Sequence, residues 1–321
     1  MEAIKVGIRV QNRDFGKALA RGLALESRKM FFYIEESDID SCDLILTDKS
    51  SCSDREIYLS EKAEKELYLQ EKPYSVYRYL NSCKMVDSLF YAYFRLTGRN
   101  LSAEVTKKCR LVTGLALSGG IWTSTILASA AQMLSLDFGS RCLYLSLCPF
   151  NNVSERKAAP KGCFLKMIYY LQDKKDFPLG IFISKTENVD YLAREIFNPW
   201  FMEMNKELLL KLLKQIDEEA GYDFLFIDFG SHISDEALKI AEESEEILLF
   251  KKFSDKRKIS FSEKFSEISR LEILSDVPKE FSADDERTGI KRSTNLNYDE
   301  DFKIQIRKIT KWIGENTDYG K

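Results

Sequence analysis

The stretch that most constrains how this chain can fold is residues 109–136, CRLVTGLALSGGIWTSTILASAAQMLSL. Its apolar first part, Cys109–Ala116, predicts a buried strand. A turn with two adjacent glycines follows over Leu117–Trp122, and a helix that opens on three hydroxyl residues is predicted from Thr123 onward. This order is the geometry of a phosphate-binding loop, because backbone N–H groups and the positive end of the helix dipole face one point.

The same stretch lacks the charge of a working phosphate-binding loop. Such a loop carries a lysine directly before its serine or threonine, where it reaches the β and γ phosphates, and this chain has Thr123 at that place. Trp122 also adds a bulky side chain where the backbone must approach phosphate closely. If a nucleotide binds, we expect this loop to line it with Gly119, Gly120, Ile121, Trp122, Thr123, Ser124 and Thr125.

The composition narrows the class of protein. The chain has 321 residues, of which 44% are hydrophobic, and a net charge of −3. That is enough apolar material for one large domain or two ordinary ones, and the charge gives no reason to expect a specific nucleic-acid partner. No apolar run reaches the length of about 18 residues that a membrane span needs, and the first residues lack the features of a signal peptide. We therefore expect a cytoplasmic protein.

Cysteine and histidine usage argues against a disulfide framework and against a zinc site. The single histidine, His232, has no cluster of thiols to join, and we expect it to be a surface loop residue rather than a catalytic base. No Cys-x-x-Cys pair occurs, and several cysteines lie in predicted apolar strands, where cysteine behaves as a small hydrophobe. This favours a reducing compartment for Cys42, Cys52, Cys83, Cys109, Cys142, Cys148 and Cys163.

Predicted strands and helices alternate along the chain, which indicates parallel α/β sheets with crossover helices. We predict a first domain over residues 1–102 and a second, doubly wound domain over residues 103–321. The first domain has predicted strands at Ile4–Val10, Met30–Ile34, Cys42–Thr47, Glu56–Leu59 and Glu66–Leu69, with helices at Asp14–Leu25 and Val76–Leu96. The second has further strands at Arg141–Phe150, Leu179–Ser184, Asp223–Phe229, Glu246–Lys251 and Leu271–Val277, with helices at Cys163–Leu171, Lys206–Glu219, Ser234–Ser244 and Phe302–Ile313.

Polar residues follow three of the predicted strands in the first domain. Asp48 ends the third strand, Ser60 follows the fourth, and Lys72-Pro73 follows the fifth. This pattern resembles a response-regulator receiver domain, which has a flavodoxin-like fold, in reduced form, and the resemblance implies Asp48 as a phosphoacceptor. Receivers hold Mg²⁺ with an acidic pair where this chain has Gln11 and Asn12, so phosphoryl transfer would lose its charge neutralisation. We interpret the domain as an interaction domain, with Asp48 a loop carboxylate and Lys72 a surface lysine.

Residues at three strand ends of the second domain carry a second resemblance. Residues 118–125 read SGGIWTST, which resembles the Lys-Gly-Gly-x-Gly-Lys-Thr-Thr loop of the MinD/ParA family of P-loop ATPases, with Ser118 in place of the lysine that reaches across a dimer. The family's Asp-x-Asp-Pro strand end corresponds to residues 146–149, where Ser146 and Cys148 replace both acids. Asp228 matches the Walker B aspartate. The resemblance implies ATP with Mg²⁺ as the ligand, and Ser124 and Asp228 as metal ligands only if nucleotide binds.

The missing charges predict a pseudo-ATPase, because phosphoryl transfer depends on charge neutralisation by lysines and Mg²⁺. A receiver-like domain followed by a MinD/ParA-like domain with a degenerate Walker A loop resembles the TadZ/CpaE proteins of Tad/Flp-type pilus systems. That resemblance implies a homodimeric scaffold, non-catalytic or weakly nucleotide-binding, that localises or assembles pilus or secretion machinery, often at a cell pole. The alternatives are an active ATPase with an altered loop and a signalling adaptor that acts through the first domain. Since Ser118 replaces the cross-dimer lysine, we predict dimerisation without nucleotide.

Two basic stretches each have two interpretations. Lys251–Lys258 could bind DNA non-specifically, but acidic flanking sequence favours a solvated loop. The last helix could make a peripheral membrane contact with its apolar face, but closing the core is favoured. That apolar face carries Phe302, Ile306, Ile309 and Ile313, and the basic residues around it are Lys303, Arg307, Lys308 and Lys311.

Overall fold

The structure is a computed structural model, and it describes residues 3–49, 53–63, 66–67, 70–101, 108–117, 123–151, 158–173, 177–219, 221–251, 269–274 and 300–315. The chain forms two compact units. The first consists of Met1–Thr106, Leu165–Ile183 and Glu218–Ala220, and the second of Lys107–Phe164, Ser184–Asp217 and Gly221–Lys321. The division into domains at residues 102 and 103 stays a prediction.

The first unit contains a five-stranded parallel sheet in the order β2-β1-β3-β4-β5. This is the flavodoxin-like order of a doubly wound sheet. Its strands are β1 (Ile4–Arg9), β2 (Met30–Tyr33), β3 (Leu44–Thr47), β4 (Glu56–Ser60) and β5 (Tyr74–Tyr77), and its helices are α1 (Arg13–Glu26), α2 (Glu36–Ile39) and α3 (Ser82–Thr97).

Side-chain and glycine caps fix the ends of the two long helices in this unit. The Asn12 side chain accepts hydrogen bonds from the backbone N–H groups of Asp14 and Phe15, both at 3.0 Å, and so satisfies two donors at the start of α1. Helix α3 ends at Gly98, whose φ of 71° is in the left-handed region that favours glycine. Local sequence chemistry therefore sets where both helices begin or end.

The predicted strand at Glu66–Leu69 is wrong at Glu66 and Leu67, which are not in a strand, while residues 68 and 69 lie outside the described residues; the fifth strand is Tyr74–Tyr77. Gln70 explains the difference, because its side-chain oxygen accepts from the Ser75 N–H at 2.9 Å and its amide donates to the Ser75 carbonyl at 3.1 Å. This clamp holds a loop ahead of β5. Lys72-Pro73 consequently precedes the fifth strand, and its predicted position after that strand is wrong.

Segment 165–183 belongs to the first unit through aromatic packing on α3. The hydroxyl groups of Tyr91 and Tyr170 lie 2.7 Å apart, and Arg95 donates to both. The predicted strand Leu179–Ser184 is instead a 3-10 helix over Leu179–Phe182, followed by a two-residue strand. Lys84 donates to the Gly180 carbonyl at 3.0 Å, which favours the turn. Periodicity alone cannot separate so short an apolar run from a strand.

The second sheet has seven strands in the order β12-β11-β6-β10-β7-β9-β8, and its registered pairs are parallel. The strands are β6 (Arg110–Ala116), β7 (Cys142–Ser146), β8 (Ile183–Ser184), β9 (Val189–Leu192), β10 (Phe224–Asp228), β11 (Glu246–Lys251) and β12 (Ser269–Leu274). The remaining helices along the chain are α4 (Thr123–Phe138), α5 (Cys163–Gln172), α6 (Lys206–Glu219), α7 (Asp235–Ala241) and α8 (Glu300–Glu315), of which α5 belongs from Leu165 onward to the first unit.

Both faces of this sheet are covered, since every residue of β10 is buried. The last helix closes one face, as favoured from the sequence, because Ile306, Ile309 and Ile313 are at most 3% exposed in the core against α4. Arg307, Lys308 and Lys311 are exposed on its outer side. The side chains of Phe302 and Lys303, and all of residues 252–258 and 275–277, lie outside the described residues.

None of the described helices is long and apolar enough to cross a bilayer.

Candidate functional site

The register of three strands brings the predicted site residues of the second unit to one edge. Asp228 at the end of β10 pairs with Gly114 of β6 on one side and with Ser146 at the end of β7 on the other. Carboxyl ends of neighbouring parallel strands form the usual ligand crevice of a doubly wound sheet. Ser118, Gly119, Gly120, Ile121 and Trp122 lie outside the described residues.

Helix α4 begins at Thr123 and packs against β6. A Cβ atom on Gly114 would lie 2.8 Å from a methyl carbon of Leu127, so a larger residue here would require the Leu127 side chain to shift. Thr123 is 6% exposed, Thr125 is half-buried and Ser124 is exposed. At the place of the family's phosphate lysine there is therefore a short, buried hydroxyl side chain.

The Asp228 carboxyl group is buried and hydrogen-bonded within the protein. It is 1% exposed, and its Oδ2 accepts from the Tyr144 hydroxyl at 2.7 Å. Its Oδ1 accepts from the Gly230 backbone N–H at 2.8 Å, and the Ser124 side chain adds a further hydrogen bond. Burial raises the pKa of the Asp228 carboxyl above its ordinary value, while the bonds from Ser124, Tyr144 and Gly230 oppose that rise.

The residues in place of the missing acids are neutral and partly packed into the same edge. The Leu147 N–H donates to the Asp228 carbonyl at 2.8 Å, and the Cys148 sulfur lies 3.6 Å from that oxygen. Burial and the nearby Asp228 carboxylate raise the pKa of the Cys148 thiol to about 12, so it is no nucleophile near neutral pH. Gly230, with a φ of 53°, would place a Cβ atom 2.9 Å from the Cys148 sulfur.

The described residues do not fit a Mg²⁺–nucleotide site. Mg²⁺ keeps several waters and needs carboxylate oxygens that face open space, but both oxygens of Asp228 accept hydrogen bonds from the protein. No group of three or more His, Cys, Asp or Glu residues in the described part of the chain could hold a metal. Among the described residues directly after β6, β7 and β10, none is a lysine or an arginine.

Sequence reasoning missed three residues that shape this edge. Tyr144 lies inside an apolar strand, where a tyrosine is ordinary, and its hydroxyl gave no signal. Gly230 follows a strand end directly, and a glycine there is a signal for a tight turn. Glu195 is 2% exposed and accepts from the N–H groups of Gly162 and Phe164 at the start of α5.

His232 lies in a loop, as predicted, but it is half-buried rather than at the surface. Its ring packs edge-on against Phe201, with centroids 4.9 Å apart. Its Nε2 is buried and has no hydrogen-bond partner among the described residues. The packing explains the position of the ring, and no serine or cysteine hydrogen bond makes it a base in the described part of the chain.

The predicted residues of the first unit do not converge on Asp48. Asp48 accepts from the Gln11 N–H at 2.7 Å with one oxygen. The Ser60 hydroxyl bonds the backbone of Lys62 at 2.9 Å, and Lys72 pairs with Asp54 at 2.8 Å. Lys72 is about half exposed, which agrees with a surface lysine.

No protein-family model matches the chain, and no curated protein matches it. Among solved structures, it is similar to a ParA family ATPase from Chlorobium tepidum TLS, with 16% identity over 53% of this chain and 86% of that chain and a TM-score of 0.38. A plasmid partition protein from Borrelia burgdorferi has 15% identity, coverages of 65% and 100%, and a TM-score of 0.42. Cobyrinic acid a,c-diamide synthase from Mycobacterium smegmatis, with bound ATP analog and magnesium, has 13% identity, coverages of 66% and 97%, and a TM-score of 0.45. TM-scores this low do not establish a family or a function for this chain. The α/β fold is shown by the parallel strand pairing described above.

Proposed function

We propose that this protein is a non-catalytic scaffold of MinD/ParA type that places other components and does not turn over nucleotide. The observation that supports the proposal is Thr123, which stands where a phosphate lysine belongs and is only 6% exposed. A buried hydroxyl of that length supplies no positive charge to a γ phosphate. Because catalysis of phosphoryl transfer is mostly charge neutralisation, this edge of the sheet is unsuited to it.

The scaffold that we propose is a homodimer that localises or assembles a Tad/Flp-type pilus or secretion apparatus. The support is the order of the two units, a flavodoxin-like sheet followed by a seven-stranded parallel sheet, together with the motif remnants in the second. The first unit acts as the interaction domain. Asp228, at the end of β10, then serves the fold rather than a reaction.

Calorimetric titration of the full chain with Mg-ATP tests the absence of nucleotide turnover and binding. We expect no heat of binding up to millimolar ligand and no phosphate release. A Thr123→Ala variant is the matched control, since it should behave as the wild type does. Sub-millimolar binding together with turnover that Asp228→Ala abolishes would contradict the proposal and favour an active ATPase.

Light scattering tests the dimer. We expect the mass of a dimer with and without Mg-ATP, because Ser118 removes the lysine that would tie dimerisation to nucleotide. A dimer that forms only after ATP is added would contradict this part of the proposal. Co-purification of a pilus secretion ATPase with the full chain, lost when residues 1–102 are exchanged for an unrelated domain, would support the assembly role.

A further inference from the structure

The hydroxyl group of Tyr144 donates a hydrogen bond to a carboxylate oxygen of Asp228. Asp228 matches the Walker B aspartate, which would bind a metal ion through such an oxygen. Tyr144 pairs in register with Phe226 of β10, two residues before the end of that strand. From there its hydroxyl reaches Asp228 Oδ2 at 2.7 Å and lies 3.3 Å from the carbonyl oxygen of Ser124. One side chain thus touches the ends of β7 and β10 and the first turn of α4.

Both carboxylate oxygens of Asp228 already accept hydrogen bonds, which leaves them poorly available to a cation. Tyr144 takes Oδ2, Gly230 takes Oδ1, and Ser124 bonds the same group. The residue is 1% exposed, whereas Mg²⁺ and Mn²⁺ retain coordinated waters that need open space. With Cys148 as a further partner, the hydrogen bonds from β7, α4 and the turn after β10 make Asp228 a joint between these elements.

Tyr144 is itself held in place. It is 6% exposed, and its ring lies 5.5 Å from that of Tyr191. The guanidinium of Arg194 in turn covers the Tyr191 ring at 3.8 Å. The tyrosine cannot swing away from Asp228 without disturbing this stack.

We propose that Tyr144 is a built-in substitute for the metal ion: its hydroxyl closes the Asp228 carboxylate to divalent cations and uses it to tie β7, β10 and α4 together. This deepens the proposed function and rests on it, since it names the side chain that keeps the edge of the sheet free of metal. Removing only the hydroxyl takes the Tyr144 donor away from Asp228 Oδ2, next to the exposed Ser124.

Mn²⁺ binding to the full chain, measured by the electron paramagnetic resonance signal of the free ion, tests the proposal. We expect Tyr144→Phe to bind Mn²⁺ at least about tenfold more tightly than the wild type, and Asp228→Asn in the same chain to remove that gain. Tyr191→Phe is the matched control, because it deletes a neighbouring hydroxyl that makes no contact with Asp228, and it should leave Mn²⁺ binding unchanged. Tyr144→Phe should also lower the melting temperature by about 5 °C.

Two results would overturn the proposal. One is a Tyr144→Phe protein that binds Mn²⁺ no better than the wild type. The other is a wild-type protein whose Mn²⁺ affinity falls tenfold or more on Asp228→Asn, and this comparison decides the matter alone if Tyr144→Phe does not fold. Mg-ATP binding to the wild type that Asp228→Asn leaves intact would instead refute the proposed function while the role of Tyr144 stands.

Discussion

Each unit of this protein ends a strand of its parallel sheet on an aspartate, and the two carboxyl groups have opposite surroundings. Asp48 follows β3, is half-buried and accepts one hydrogen bond, from the Gln11 N–H, while its Oδ1 has no partner among the described residues. Asp228 ends β10, is 1% exposed and has a donor on each oxygen.

The difference shows that topology places a carboxylate while its neighbours decide its role. A parallel sheet delivers acidic strand ends to one edge regardless of chemistry. Around Asp228, donors from β7, α4 and the following turn convert that position into a structural joint. Among the described residues the one donor to Asp48 is the Gln11 backbone N–H, so the residue contributes little to the packing of its unit.

Replacing each aspartate by alanine should give the largest contrast. Asp228→Ala leaves the Gly230 N–H without its acceptor and the Tyr144 hydroxyl with only the Ser124 carbonyl oxygen at 3.3 Å, and we expect a loss of about 3 to 5 kcal/mol in the free energy of unfolding. Asp48→Ala removes one acceptor near solvent and should cost about 1 kcal/mol. Urea denaturation followed by tryptophan fluorescence and circular dichroism measures both.

The informative quantity is the difference in stability loss between Asp228→Ala and Asp48→Ala. Asp228→Asn keeps an acceptor for Tyr144 or Gly230 and should recover more than half of the alanine loss. Equal costs for the two alanine variants would show that the donors around Asp228 do not stabilise the fold, and would remove the contrast between the units.

A carboxyl group at the opposite edge of the second sheet is buried like Asp228 but less well satisfied. Glu246 at the start of β11 is fully buried and pairs with Arg110, yet its Oε2 has no partner among the described residues. Burial raises the pKa of the Glu246 carboxyl from 4.5 to about 7, with Glu245 adding to the rise and Arg110 opposing it. The folded state therefore favours the protonated form.

The sign of the pH dependence follows from that rise. Below about 4.5 the group is neutral in both states and costs nothing; between about 4.5 and 7 the unfolded chain ionises first, so stability falls as pH increases. At about 1.4 kcal/mol per pH unit the accumulated cost is about 3 kcal/mol. Glu246→Gln should remove it, so the variant's advantage over the wild type grows through this window and levels off above pH 7.

Arg110→Met provides the control for Glu246. Without the guanidinium the carboxyl ionises at still higher pH, and the fall in stability should extend upward in pH. If the difference in unfolding free energy between wild type and Glu246→Gln stays constant from pH 4.5 to 8, Glu246 is not less well satisfied than Asp228.

Much of the fold followed from the sequence because periodicity and strand composition are local properties. Helix Lys206–Glu219 and strand Glu246–Lys251 have the predicted bounds. The fifth strand of the first unit did not, since the Gln70 side chain holds a turn through a contact five residues away. The predicted strand over residues 179–184 was wrong for a related reason. A side chain far away in the sequence, Lys84, donates to the Gly180 carbonyl and favours a turn.

The sequence indicated which residues end the strands but not how they bond to one another. The motif resemblance singled out Asp228, Ser146 and Ser124, and the register of β7 and β10 places the first two side by side. The sequence of residues 143–146, LYLS, does not indicate that the hydroxyl of Tyr144 reaches the neighbouring strand. That contact depends on the strand register and on the packing of Tyr191. Side chains that neutralise a site from inside a strand are invisible to motif comparison.

The cap of α1 offers a smaller effect in the first unit. Asn12→Ala leaves the N–H groups of Asp14 and Phe15 without their side-chain acceptor, and we expect a loss of about 1 kcal/mol in the free energy of unfolding. Asn12→Ser, which can still cap, should lose less. Chemical denaturation checks both variants, and a serine variant as unstable as the alanine one would argue against capping as the cause.

The smallest effect is expected for Lys72, and it bears on whether Asp48 belongs to a receiver-like site. Lys72 pairs with Asp54, and the two side chains are 49% and 68% exposed, so Lys72→Ala should change the unfolding free energy by no more than about 0.5 kcal/mol. Incubation with radiolabelled acetyl phosphate should label neither the wild type nor this variant at Asp48, because no cation among the described residues pairs with that carboxylate. Asp48→Ala serves as the blank. A contradicting result would be a wild type that is labelled and loses the label in both Lys72→Ala and Asp48→Ala. The two residues would then act together, and Asp48 would be a reactive carboxylate where Asp228 is a structural one.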